Sequence, residues 1–177
     1  MRKLLLALCL ALPWVTQAQD APKRLPPATP YRALVLQALT CRGDSLQIVR
    51  DIAQHRAQAK AEGIDAKDNG MDGEDEAIEL HFSPALQWLG ASTTKVVLSF
   101  ESGRPDFYAP VHALFEGAAE PWIANLKLVQ AHKLKVKSGV GVYASPVSHP
   151  ERCPPQVGLT PTGPQRFLLG CGWCNGG

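Results

Sequence analysis

The chain has 177 residues, 45% of them hydrophobic, with 18 lysines and arginines against 16 aspartates and glutamates. A balance this close to neutral gives no support for bulk nucleic-acid binding, and no nucleic-acid partner is expected. The length suits one domain with a hydrophobic core of its own.

The chain starts with MRKLLLALCLALPWVTQAQD. Arg2 and Lys3 precede an apolar run from Leu4 to Val15, and Thr16-Gln17-Ala18 supplies a small-x-small cleavage pattern. That is the plan of a secretory signal peptide, with a run too short to span a bilayer as a helix. Residues 1–18 are expected to be removed near Ala18, which predicts a periplasmic or secreted protein. Cys9 is a poor lipidation site, since Leu8 precedes it and the apolar run continues past it. Removing Arg2 and Lys3 leaves sixteen cations and sixteen anions. No later segment reaches membrane-spanning length, so the mature chain is expected to be soluble.

Residues 19–30 form a proline-rich arm, and residues 31–177 the expected globular domain. Thr29-Pro30 reads as an N-cap followed by proline at the first helical position. Tyr31, Leu34, Val35, Ala38 and Leu39 then fall at helical spacing, although apolar residues on both parities leave a strand as the competing reading. Asp44 or Ser45 caps a second helix with Leu46, Val49, Ile52 and Ala53 on its apolar stripe, and Gly63 ends it. Arg42-Gly43-Asp44 spells an adhesion tripeptide, but a chain-breaking glycine and a capping aspartate account for it.

Residues 65–76, DAKDNGMDGEDE, approach a twelve-residue calcium loop. Asp65, Asn69, Gly70 and Glu76 occupy positions one, five, six and twelve, but Lys67 stands where an oxygen ligand belongs. The preferred reading is a solvated acidic loop between helix and sheet. Its carboxylates Asp68, Asp72, Glu74 and Asp75 are candidates for contact with a partner.

From Ala77 the period becomes two. Ile78, Leu80 and Phe82 alternate with Glu79 and His81, and Thr94, Val96, Leu98 and Phe100 alternate with Lys95 and Ser99. A hairpin loop over 101–106 leads to a return strand carrying Phe107, Ala109, Val111, Ala113 and Phe115. Pro110 on its other parity predicts a bulge or an edge position. His81 and His112 share the expected outer sheet face, where they could approach each other.

A short helix opens at Glu120-Pro121. HKLKVKSGVGVY then reads as a strand with Leu134, Val136, Val140 and Val142 inward. Lys133, Lys135 and Lys137 point outward, as an edge guard or a docking stripe for an anionic partner. Six prolines between residues 144 and 165 argue against regular pairing over most of that length. Arg166 to Cys171 is the last expected strand. The sum is an α+β domain: N-terminal helices on a mainly antiparallel meander of about 4–5 strands, with one inserted short helix.

Four cysteines follow the signal peptide: Cys41, Cys153, Cys171 and Cys174. In an oxidising compartment an even count predicts two disulfides, with three possible pairings. CGWC at the C-terminus resembles a redox dithiol in spacing only, because just three residues follow Cys174 and no helix can begin there to lower a thiol pKa. A structural staple is the better account. His149, Cys153, Cys171 and Cys174 also have spacings that zinc tolerates.

No nucleophile elbow, zinc-protease helix or phosphate loop is present, and no motif calls for a cofactor. The expected function is that of a small exported, non-catalytic protein that binds another envelope or secreted protein, as inhibitors and immunity proteins do. The alternatives are a thiol–disulfide oxidoreductase or redox sensor using Cys171 and Cys174, and a metal-binding envelope protein holding zinc at the His149 cluster or calcium in 65–76.

Overall fold

The computed structural model describes residues 30–72, 75–99, 109–134, 140–147 and 154–172. Among them, helices α1 (Tyr31–Leu39), α2 (Ser45–Gln54) and α3 (Arg56–Ala61) come first. The helical reading of 31–39 holds, with Val35, Ala38 and Leu39 on the buried face. The Glu62 carboxylate serves the start of α1 from thirty positions away: its oxygens accept from Tyr31 N–H at 3.1 Å and Arg32 N–H at 3.3 Å. Two donors that no helical carbonyl can satisfy thus gain a charged acceptor at the positive end of the helix dipole.

Asp44 caps α2 as expected, accepting from Gln47 N–H at 3.0 Å. The single helix expected up to Gly63 is interrupted at His55, which leaves helical geometry (φ −100, ψ 46) while its Nδ1 lies 2.7 Å from the Asp51 carbonyl oxygen. Gly63 ends α3 at φ +74, and an added Cβ there would collide with the Ser83 carbonyl.

The strands are β1 (Ile64–Asp72), β2 (Asp75–Trp88), β3 (Ala91–Ser99), β4 (Val111–Glu116), β5 (Val129–Gln130), β6 (Tyr143–Ala144), β7 (Gln156–Gly163) and β8 (Arg166–Gly172). Helix α4 (Glu120–Asn125) and a 3-10 turn (Ala131–Lys133) lie between β4 and β6. All pairings are antiparallel, and the order across the sheet is β1-β2-β3-β4-β8-β7-β6-β5. The fold is α+β, but the sheet has eight strands where four or five were expected.

Each added strand has a physical reason. The acidic segment is an edge strand, not a loop: Ile64 and Ala66 are buried while Asp65 and Lys67 are exposed, and Asp72 pairs with Asp75. Residues 65–72 are therefore extended, which a calcium loop is not. The proline-rich stretch pairs because of where its prolines fall. Ser145 N–H donates to Val157 O, so alternation turns the backbone groups of residues 157, 159 and 161 towards β6. β6 has ended before Pro161 is reached, and no ladder bond is lost there.

Pro110 precedes β4, a central strand, so the expected edge position is not observed. The strand expected over residues 132–143 is not continuous at its described residues. Lys133 lies in the 3-10 turn, Val142 is half-exposed, and among the described residues of this stretch pairing begins at Tyr143 and Ala144. Gly141 stands at φ +134 with Leu159 O 3.0 Å from where a Cβ would sit, so the chain crosses over β7 here instead of extending. The loop 101–106, together with Lys135 and Lys137, lies outside the described residues.

The core forms where the helices meet one sheet face. Ile78, Leu80, Val96, Leu98, Val111, Phe115, Leu159 and Leu169 supply the sheet side, and Val35, Leu39, Val49 and Ile52 the helix side, all buried. At one end Phe115 stacks on Phe167 at 5.4 Å, and Trp122 packs against Phe115, Phe167 and Trp88 with centroids 4.6–5.5 Å apart. Cys41, just past α1, bonds to Cys171 on β8, 130 positions later. The helical layer is thereby stapled to the sheet, as the terminal cysteines suggested.

Two outcomes are expected. Non-reducing peptide mapping returns a Cys41–Cys171 bond, and a Cys171–Cys174 bond in its place would refute the staple. Replacing both Cys41 and Cys171 by serine lowers unfolding free energy by about 2–5 kcal/mol, read from urea titration. Separately, Phe115→Ala removes the ring shared by Phe167 and Trp122 and lowers stability by about 3–5 kcal/mol. Trp122→Phe is milder, because the buried indole N–H has no partner among the described residues.

Candidate functional site

The sheet face away from the helices is divided in two. Over β7, residues 140–142 lie as a strap: an added Cβ on Gly158 would run into the Val140 carbonyl, and Val140 is fully buried. Val142 N–H donates to Thr160 Oγ1 at 3.2 Å and Gln156 Nε2 to Ser145 O at 3.0 Å, which holds the strap down. Over β2, β3, β4 and β8, no described element covers the face.

Register decides which side chains meet on that open half. Glu79 stands opposite Val97, Val97 opposite His112, and His112 opposite Gly170. The next row sets His81 opposite Lys95, and further along Leu114 stands opposite Leu168. Gly170 leaves room for the histidine, since a Cβ there would stand 2.8 Å from His112 Cβ and 2.5 Å from Val111 O.

A bulge in β3 between Ser92 and Val96 aims the lysine. Buried Thr93 fixes the bulge, its Oγ1 accepting from Lys95 N–H at 3.3 Å and donating to Lys95 O at 2.9 Å. Lys95 Nζ then donates to Glu79 Oε1 at 2.8 Å, while His81 Nε2 meets Glu79 Oε2 at 2.9 Å. One carboxylate thus joins a lysine and a histidine side chain.

Beside this triad a pocket of about 390 Å³ opens, with Val97, Leu114 and Leu168 as apolar lining and Lys95, His112 and Glu116 as polar lining. Glu116 carries an ion pair with Arg166 at 3.0 Å. The hydrogen bonds from Lys95 and His81 hold Glu79 below the ordinary carboxylate range. Burial pushes the His112 imidazole down, and nearby Lys95 acts in the same direction. The bond from Nδ1–H to the Ala109 carbonyl at 2.8 Å opposes both. His112 is therefore neutral near pH 7, with a donor committed to the backbone.

The residues singled out from sequence are only partly brought together. Cys41 and Cys171 meet, and in the bonded form Cys171 offers no thiolate to a metal or to Cys174. Cys153, Cys174, His149 and Glu74 lie outside the described residues. Asp68, Asp72 and Asp75 belong to the β1–β2 hairpin, well away from Lys133 in sheet order. His81 and His112 share the outer face, but β3 stands between their strands. No group of three or more potential metal ligands occurs among the described residues, and no described helix is long and apolar enough to cross a membrane.

Glu79, Thr93, Lys95 and Leu114 were not singled out. Alternation in 77–82 and 94–99 had already placed Glu79 and Lys95 on the outer face, but their coupling needed the register. No protein-family model, curated protein or solved structure matches this chain, so the site is read from its own chemistry.

Both shifted groups have depressed folded-state values, so the stability they carry is present at higher pH and lost as pH falls. For His112 the loss sets in below the ordinary histidine value of 6.5, and for Glu79 below 4.5. Urea unfolding followed from pH 8 downward is expected to show both slopes. His112→Gln removes the upper one and Glu79→Gln the lower. Slopes that persist unchanged in these variants would disprove the assignment.

Proposed function

We propose that this chain is a small exported, non-catalytic protein that binds another envelope or secreted protein, in the manner of an inhibitor or immunity protein, through the open half of its outer sheet face. The observation that carries this reading is the pocket between β3, β4 and β8. Val97, Leu114 and Leu168 line it together with Lys95, His112 and Glu116, and Glu79 and Arg166 pair with the two charged lining residues Lys95 and Glu116. Protein interfaces concentrate their affinity in this way, an anchoring side chain filling an apolar depression while charged neighbours set register and exclude water. A volume near 390 Å³ is ample for one aromatic or branched side chain of a partner.

The rim carries both signs of charge, which favours selection of one partner over general adhesion. The Cys41–Cys171 bond supports an oxidising destination, where such bonds persist. The face is also rigid, since every residue named sits on a strand or in the bulge that Thr93 fixes. Little ordering entropy is then lost on binding.

The test is capture from envelope extracts on immobilised mature protein, followed by measurement of affinity for the purified partner. Leu114→Asp places a charge in the apolar centre, and Lys95→Glu leaves Glu79 facing a like charge. Each is expected to weaken binding at least tenfold, equivalent to about 1.4 kcal/mol or more, with the melting temperature checked in parallel. Affinity that survives both substitutions would rule out this face.

A further inference from the structure

The stretch 121–150 contains four lysines, Lys127, Lys133, Lys135 and Lys137, and no aspartate or glutamate. Its described parts include β5, the 3-10 turn and β6, which lie at one end of the sheet order. β7, the strand that pairs with β6, adds no charged residue. The stretch 65–79 is opposite in character, with seven acids and Lys67 as its one cation. It runs through β1 and into β2, at the other end of the sheet order. Charge is thus segregated along the sheet, and the summed field turns the β5 end towards a negative surface.

Lys127 and Lys133 stand exposed on either side of β5, and neither forms an ion pair among the described residues. Val129 lies opposite Ala144, and Ala131 N–H donates to Val142 O at 2.8 Å, which carries the β5–β6 ladder two residues further. Val129 and Val142 therefore share one face as diagonal neighbours. They are 36% and 50% exposed, and with Leu114 they are the exposed large hydrophobics among the described residues. Apolar side chains flanked by lysine suit a lipid headgroup layer. The methyl groups enter the interface, while the long lysine stems keep their ammonium groups at the phosphates.

The residue types choose between lipid and protein. All four cations of the stretch are lysines. A partner's carboxylates are best gripped by the planar fork of arginine, and lysine is depleted where proteins meet. A phospholipid surface presents many phosphates in no fixed pattern, so summed point charge is enough there. We infer that the β5 end, residues 127–133 with Val142, docks the protein reversibly on an anionic phospholipid bilayer. This surface is separate from the pocket between β3, β4 and β8, so the proposal goes beyond the protein-binding reading.

The probe is a pair of vesicle preparations, phosphatidylglycerol mixed with phosphatidylethanolamine and phosphatidylcholine alone, each co-sedimented with the mature protein. Binding to the anionic vesicles is expected to be at least tenfold tighter and to weaken with added salt. Lys127→Glu plus Lys133→Glu should weaken it at least tenfold. Lys60→Glu plus Lys67→Glu makes the same change in net charge at exposed positions on α3 and β1, and should leave binding nearly unchanged. A headgroup-spin-labelled lipid is expected to broaden the methyl signals of Val129 and Val142 and to spare those of Leu114.

No preference for the anionic vesicles, or affinity that survives the reversal at Lys127 and Lys133, overturns the proposal. So does an equal loss in the control at Lys60 and Lys67, since net charge alone is then at work. Capture by polyglutamate without vesicle binding makes the occupant an acidic polypeptide and also overturns it, as does broadening at Leu114 in place of Val129. The two readings fail separately. Envelope capture that Leu114→Asp abolishes, without vesicle binding, removes only the lipid surface. Vesicle binding alongside capture indifferent to Leu114→Asp removes only the outer-face site.

Discussion

The return of β8 to pair with β4 is the constraint on which the rest of the sheet depends. The first four strands build outward from their hairpins, and the chain then leaves for the far edge and works back through β5, β6 and β7. β8 closes the gap by bonding to β4 on one side and β7 on the other. That pairing joins residues from 50 to 60 positions apart, so much chain entropy must be offset at one seam. Phe115 and Phe167 sit directly opposite each other on this seam, stacked and fully buried beside Trp122. The disulfide reaches the same strand at Cys171, which pairs with Val111 and Val157. Hydrophobic contact and covalent closure therefore act on the same element.

The seam also creates the outer-face pocket. Leu168 and Gly170 belong to β8, Leu114 and His112 to β4, and Lys95 to β3, so the depression exists only once the two halves of the sheet have joined. Two glycines divide the face. Gly158 admits the strap of residues 140–142 against β7, and Gly170 admits His112 against β8. One half is thereby sealed by the chain's own backbone, while the other keeps an apolar centre that nothing among the described residues covers. A larger side chain at either glycine would move this boundary, by lifting the strap or by displacing the histidine.

Local signals in the sequence disclosed most of the helical layer and the inner face of the sheet. The capping aspartate at 44, the stripe Val49–Ile52–Ala53 and the alternation of Ile78, Leu80 and Phe82 each depend on neighbours within a few residues. Three features were misread for want of longer-range information. Residues 65–72 have the composition of a loop, and only their pairing with β2 makes them a strand. Pro161 forbids a strand in general but not at a position whose missing N–H faces an ended ladder. Val140 and Val142 alternate as a strand would, yet Gly141 turns the chain across β7. The candidate site was legible as a face and not as a constellation. Parity put Glu79, His81 and Lys95 on one side, but the bulge at Thr93 that brings the lysine to the carboxylate has no counterpart in local periodicity.

The two edges of this sheet are protected by different physics. At the β5 end, two-residue strands and the strap leave little extended backbone to copy. At the β1 end the strand is long, and the protection comes from charge and from the bulge between Asp68 and Met71. Shortness excludes every partner strand alike, whereas negative charge excludes only strands of its own kind. An edge guarded by charge is therefore selective where an edge guarded by length is closed.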